Sequence, residues 1–129
     1  MSHIILTTGS YDLLHIGHVR RLKQAASMGT YLIVGLATDE FCLIKGKQPA
    51  ISYEQRKEIL EAIKYVDLVV PEIAWDTKGE IVKQFNVDTY VIGDDWIGTC
   101  DWLQPLCNVI YLPRTPGIST TQIKEMLKT

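Results

Sequence analysis

The chain has 129 residues, 47% of them hydrophobic and 22% charged, an ordinary balance for a globular domain and enough length for one core. Its net charge of −2 argues against a nonspecific nucleic-acid binder, which is usually basic. Three cysteines, Cys42, Cys100 and Cys107, odd in number and without CxxC spacing, argue against a disulfide framework or zinc knuckle and for a reducing compartment.

No apolar run approaches the roughly 20 residues of a membrane helix, and the N-terminus leads straight into a strand without a signal-peptide pattern. The expectation is a single cytoplasmic domain spanning residues 1–129, with no membrane and no nucleic acid as partner. In chain order, His3 to Thr8 reads as a buried strand. Gly17 to Met28 reads as a helix with Val19, Leu22, Ala25 and Ala26 at helical spacing and Gly29 as its stop. Tyr31 to Ala37 is a second strand, and residues 38–51 read as a loop carrying Lys45-Gly46-Lys47. Ser52 and Gln55 form a capping-box pattern for a helix to about Lys64. Asp67 to Val70 is a third strand closed by Pro71, followed by a helix near Lys78 to Phe85 and a fourth strand, Thr89 to Ile92. Asp101 to Leu106 reads as a short helix and Asn108 to Leu112 as the fifth strand. Ser119 then caps a last helix, Thr120 to Leu127.

Short apolar strands alternating with helices imply an α/β fold: a Rossmann-like, doubly wound, five-stranded parallel sheet with helices on both faces. Such folds bind ligands at the carboxyl ends of the strands, near the reversal in strand order. Each unusual cluster here follows a strand, so the clusters are expected to converge on one edge of the sheet.

The first cluster is Gly9-Ser10-Tyr11-Asp12 running into His15-Ile16-Gly17-His18. Histidines three apart at a helix start share a face, Gly17 admits close approach to the backbone, and the helix terminus adds N–H donors and partial positive charge. The set suits a polyphosphate better than zinc, which would want a further ligand; the plainer reading is two surface histidines capping a helix. The second cluster is Arg114-Thr115-Pro116-Gly117-Ile118-Ser119-Thr120-Thr121. It combines a guanidinium fork with hydroxyls and N–H groups at another helix start, against the plainer reading of a capped helix after a turn. Lys45 and Lys47 sit in a mobile basic loop able to close over a substrate, or are solvated surface. In Gly93-Asp94-Asp95-Trp96, paired carboxylates could hold Mg²⁺ or a nucleobase amine, or simply form a polar turn. Arg56 could reach the site or pair with Asp67, a structural ion pair being the plainer role. Lys78 is either a second anchor for an anion or a surface lysine.

Taken together, His15-Ile16-Gly17-His18, Ser52-Tyr53-Glu54-Gln55-Arg56, Tyr65-Val66-Asp67, Gly93-Asp94-Asp95-Trp96 and Arg114-Thr115-Pro116-Gly117-Ile118-Ser119-Thr120 resemble the cytidylyltransferase family of the HxGH nucleotidyltransferases, in particular its members that act on glycerol 3-phosphate. The family usually has Thr-Phe-Asp where this chain has Ser10-Tyr11-Asp12, and often an acidic residue at Pro116. The resemblance implies CMP transfer from CTP to glycerol 3-phosphate, giving CDP-glycerol and pyrophosphate. It implies nucleotide contacts from Gly9, Ser10, Tyr11, Asp12, His15, Gly17, His18, Lys47, Asp95, Arg114, Thr115, Gly117, Ile118, Ser119, Thr120 and Thr121. His15, His18, Lys45 and Arg114 would be catalytic, Lys45 and Lys78 would hold the phosphorylated acceptor, and Arg56 and Asp67 would support the site. Mg²⁺ would accompany CTP with no protein side chain assigned as its ligand. The enzyme would be a cytoplasmic homodimer serving teichoic acid or other surface-polysaccharide synthesis. Cytidylyl or adenylyl transfer to another phosphorylated small alcohol, and a nucleotide-binding module without turnover, are the alternatives.

Overall fold

Five short apolar segments pair in parallel into one sheet: β1 (Ile4–Gly9), β2 (Tyr31–Ala37), β3 (Leu68–Glu72), β4 (Thr89–Gly93) and β5 (Asn108–Leu112), in the order β3-β2-β1-β4-β5. A computed structural model describes residues 2–94 and 97–113, and all structural statements concern those residues. The helices between the strands are α1 (Ile16–Ser27), α2 (Asp39–Ile44), α3 (Tyr53–Glu61) and α4 (Thr77–Phe85), with a 3₁₀ turn at Asp101–Leu103. The expected last helix and its cap, Ser119, lie outside the described residues.

Alternation along the strands feeds two cores. Ile5, Leu32, Val34, Leu36 and Val91 face α1 and α3 through Leu22, Ala25 and Leu60. Leu6, Ile33, Tyr90 and Ile92 face α4 and the 3₁₀ turn through Ile81, Val82 and Leu103. This is the two-sided burial expected of a parallel sheet. The order of strands reverses between β1 and β4, which places the switch point directly beyond Gly9. No helix among the described residues is long and apolar enough to cross a membrane.

Several local expectations are corrected. The segment after β2 is not an open loop: Thr38 caps α2 by accepting the Phe41 N–H (3.1 Å), and Asp39 and Glu40 lie in the first turn, where carboxylates complement the helix dipole. Lys45 is the C-cap of that helix, and the Lys47 N–H donates back to the Cys42 carbonyl (2.9 Å). The two lysines therefore sit on a hydrogen-bonded turn. Pro71 does not close β3, which continues to Glu72 in register with Ala37. Because β3 is an edge strand, a proline there need not break the ladder. α1 opens at Ile16 rather than Gly17, α3 stops at Glu61, and the expected helix near Leu106 is only the short 3₁₀ turn.

One side chain ties these segments together. Arg56, on α3, is 1% exposed. It donates to the Ser10 carbonyl (2.7 Å), the Ala37 carbonyl (2.8 Å), the Ile51 carbonyl (2.9 Å) and Asp39 Oδ1 (2.7 Å). Arg56→Ala leaves buried carbonyls without donors and is expected to lower the unfolding free energy by about 3–5 kcal/mol. Urea titration measures this; a loss below about 1 kcal/mol would show the clamp to be dispensable.

Candidate active site

The two histidines build the start of α1. The Gly17 N–H donates to Nδ1 of His15 (3.0 Å), and the His15 N–H donates to Nδ1 of His18 (3.1 Å). A helix start leaves N–H groups without intrahelical partners, and this exchange satisfies one of them together with the cap's own N–H. It also fixes the tautomers. A ring nitrogen that accepts a hydrogen bond carries no proton, so each neutral ring has its hydrogen on Nε2. The rings stack with centroids 3.9 Å apart. Burial lowers the pKa of both, His18 to about 3, with His15 and Arg21 adding to the effect on His18 and Asp12 opposing it. At neutral pH the pair is uncharged and offers two Nε2–H donors.

The chain before α1 is held in a sharp turn. Tyr11 and Leu13 have φ of 48° and 51°, left-handed values that side chains other than glycine seldom adopt. The Tyr11 ring folds back over Gly9, where a Cβ would come within 2.9 Å of it, so Gly9 is required by close approach. Asp12 anchors this turn to the segment before α3: its Oδ2 accepts the Ala50 N–H (2.7 Å) and its Oδ1 the Ile51 N–H (3.0 Å).

A cavity of about 700 Å³ opens at the carboxyl ends of the strands, and Gly9, Ser10, Tyr11, Asp12, His18, Lys45, Lys47 and Lys78 all line it. The convergence expected from the sequence is therefore present for every cluster that the described residues contain in full. Lys45 lies over the Phe41 ring at 5.2 Å; burial lowers its pKa, Glu72 opposing and Lys47 reinforcing. Lys78 is buried and donates to Glu72 Oε2. His15 and Gly17 stand behind His18 at the helix start. Asp95 and residues 114–121, including Arg114, Thr115, Gly117, Ile118, Ser119, Thr120 and Thr121, lie outside the described residues.

Two assignments change. Asp67 is at the amino end of β3, where its Oδ2 accepts the Leu32 N–H (2.7 Å). It fixes strand register at the edge of the sheet opposite the cavity. Arg56 does not pair with Asp67; its carboxylate partner is Asp39. Two charged residues of the wall were missed by the sequence reading. Arg21 lines the cavity and packs its guanidinium on Gly93, where a Cβ would stand 2.9 Å from Nη2. Its signal was the three-residue spacing from His18. Glu72 also lines the cavity; reading Pro71 as a strand end hid it.

Arg21, Lys45, Lys47 and Lys78 thus face one cavity in a chain of net charge −2, a local concentration of cations suited to a polyanion. Among the described residues no three His, Cys, Asp or Glu side chains are grouped to hold a metal ion. The cavity's two described carboxylates are already engaged, Asp12 by backbone amides and Glu72 by Lys78. These residues do not form a resident metal site.

Residues 6–126 match the family model described as cytidylyltransferase-like. The chain belongs to that family. It is 55% identical over 123 residues to the glycerol-3-phosphate cytidylyltransferase of Staphylococcus aureus (strain NCTC 8325 / PS 47), covering 95% of this chain and 93% of that protein. It is 52% identical to the glycerol-3-phosphate cytidylyltransferase of Bacillus subtilis (strain 168), with 94% of each chain covered. Among solved structures, a lipopolysaccharide core biosynthesis protein from Thermoplasma volcanium superimposes with a TM-score of 0.80 over 89% of this chain and 99% of that one, at 21% identity. That likeness shows a shared fold.

The depressed histidine values have a consequence for stability. His18 takes up protons in the unfolded chain near 6.5 but in the folded chain only near 3. Between these values the unfolded state binds more protons, so stability present above pH 6.5 is lost as pH falls. His18→Asn, which keeps an acceptor near the Nδ1 position, is expected to flatten that part of the stability profile. Urea titrations from pH 7 to about 4 measure it; an unchanged slope would count against a buried neutral His18.

Proposed function

We propose that this chain transfers CMP from CTP to glycerol 3-phosphate, releasing CDP-glycerol and pyrophosphate. One observation carries the reading. The chain matches two glycerol-3-phosphate cytidylyltransferases over nearly their whole length, and His18, Arg21 and its lysines meet in one cavity at the switch point of the sheet.

In this reaction a phosphate oxygen of the acceptor attacks the α-phosphorus of CTP in line, and the bond to the pyrophosphate oxygen breaks. The nucleophile is already an anion, so no strong general base is required. The protein's contribution is positioning and charge stabilisation. His15 and His18 donate from Nε2 to phosphate oxygens as charge shifts toward the leaving group. Lys45 and Lys78 hold the acceptor phosphate, while Lys47 and Arg21 hold the triphosphate, so that fixed cations offset the repulsion between two anions. Ser10 and the backbone after Gly9 flank the nucleotide. The resemblance to the family assigns Arg114, Thr115, Gly117, Ile118, Ser119, Thr120, Thr121 and Asp95 to the nucleotide as well. Mg²⁺ enters as part of the MgCTP substrate, held by phosphate oxygens and neutralising their charge. Arg56 and Asp12 position the loops without touching substrate. The same reading takes the enzyme as a cytoplasmic homodimer whose product feeds a surface polysaccharide such as teichoic acid.

Pyrophosphate release from CTP or ATP, tested against glycerol 3-phosphate, phosphoethanolamine and phosphocholine, decides the reading. Release is expected with CTP and glycerol 3-phosphate; release only with another pair would overturn it. His18→Ala should lower kcat by on the order of 10²-fold, the usual cost of one preorganised donor, and near-wild-type turnover would remove His18 from the chemistry. Lys45→Ala should chiefly raise KM for the acceptor, and an unchanged value would reassign it.

A further inference from the structure

The reaction described above leaves one buried carboxylate of the described cavity wall without a role. Glu72 ends β3 at the cavity and is 1% exposed. Its Oε2 accepts from the ammonium of Lys78, on the first turn of α4, itself 6% exposed. The same ammonium stands 5.7 Å from the Trp75 ring centroid, and Trp75 meets Phe41 edge-on at 5.1 Å. A carboxylate and an aromatic face thus confine the Lys78 head group. An ammonium carries three N–H donors, so one carboxylate oxygen does not exhaust it.

Groups on several neighbouring segments interact electrostatically with Glu72. They are Lys78 on α4, Lys45 at the end of α2, Tyr11 in the turn after β1 and Tyr90 on β4. Burial pushes the Glu72 carboxyl up, and the two lysines pull it back. A carboxylate so buried is balanced by the lysines of the wall. Those are the two side chains to which the proposed reaction gives the acceptor phosphate.

We infer that Glu72 is a positioning residue for the acceptor: it holds the Lys78 ammonium fixed in the cavity wall, where the phosphate of glycerol 3-phosphate is received. The inference rests on the proposed reaction. Glu72 does not touch substrate; it acts through Lys78. Without the carboxylate, the ammonium is free to swing onto the Trp75 ring.

Glu72→Gln keeps the volume and one acceptor oxygen while removing the charge. KM for glycerol 3-phosphate is expected to rise about tenfold, the scale of losing one partner of a buried charge pair, with KM for CTP changed less than about twofold. A rise confined to the acceptor KM is a split that a merely structural role would not produce. The double variant Glu72→Gln/Lys78→Met is expected to match Lys78→Met alone, because a residue acting through Lys78 has nothing left to hold. An unchanged acceptor KM in folded Glu72→Gln would overturn the inference. So would a double variant much weaker than Lys78→Met, which would place Glu72 on the substrate itself. If Glu72→Gln does not fold, the comparison of Lys78→Met with the double variant, which buries no unpaired charge, still decides. Wild-type pyrophosphate release from CTP and glycerol 3-phosphate is the control. Its absence overturns the reaction and the inference together; its presence with unaffected variants overturns the inference alone.

Discussion

The guanidinium of Arg56 is the constraint on which the site's geometry depends. Burying a guanidinium costs several kcal/mol unless its donors are satisfied, and here they bind three carbonyls and one carboxylate from four different segments. Ser10 belongs to the turn after β1, Ala37 ends β2, Asp39 opens α2 and Ile51 precedes α3. Asp12 works on the same junction with the opposite polarity, taking the N–H groups of Ala50 and Ile51. Residue 51 is therefore gripped at its N–H by one charged side chain and at its carbonyl by another. The left-handed turn at Tyr11 and the lysine-bearing turn after α2 are registered against each other by this junction.

Within that frame the polar groups divide into two kinds. The histidines are neutral donors, held by the helix start in one tautomer and discharged by burial. The lysines and Arg21 carry the permanent charge. A triphosphate and a phosphomonoester need both: cations to bring two anions into one cavity, and fixed dipoles that strengthen as charge moves to the leaving group. The neutral pair adds no repulsion to the cations beside it, so Arg21 can lie one helical turn beyond His18 at little cost. Gly93 makes the same accommodation from the sheet, giving up a side chain so that the guanidinium can rest on β4.

The sheet was legible in the sequence because each of its strands is a short apolar run between helical patterns, and burial on both faces leaves that mark. The site was legible for a related reason: in this topology the residues that follow strands share one edge, so position along the chain stands in for position in space. The reading failed where a role depends on a tertiary partner. α2 is only six residues long, too short for a periodic pattern, and only its Thr38 cap and acidic start marked it. Pro71 reads as a terminator unless the strand is known to be an edge, and that error concealed Glu72. Asp67 and Asp12 are the same residue type beside similar apolar runs, yet one pins the far end of β3 and the other the cavity floor. Nothing local distinguishes them.

The separation of the cavity's parts along the chain has a thermodynamic corollary. Its described wall draws on residues from Thr8 to Trp102, joined only when β4 pairs with β1 and β3 with β2. A chain that has lost either pairing has the same histidines and lysines but no receptacle for them. A small molecule recognised by this receptacle is thus recognised by the native state alone, and its occupancy raises the free energy of unfolding in proportion to the logarithm of its concentration. A metabolite pool that saturates the protein would in that way also govern how long each copy survives.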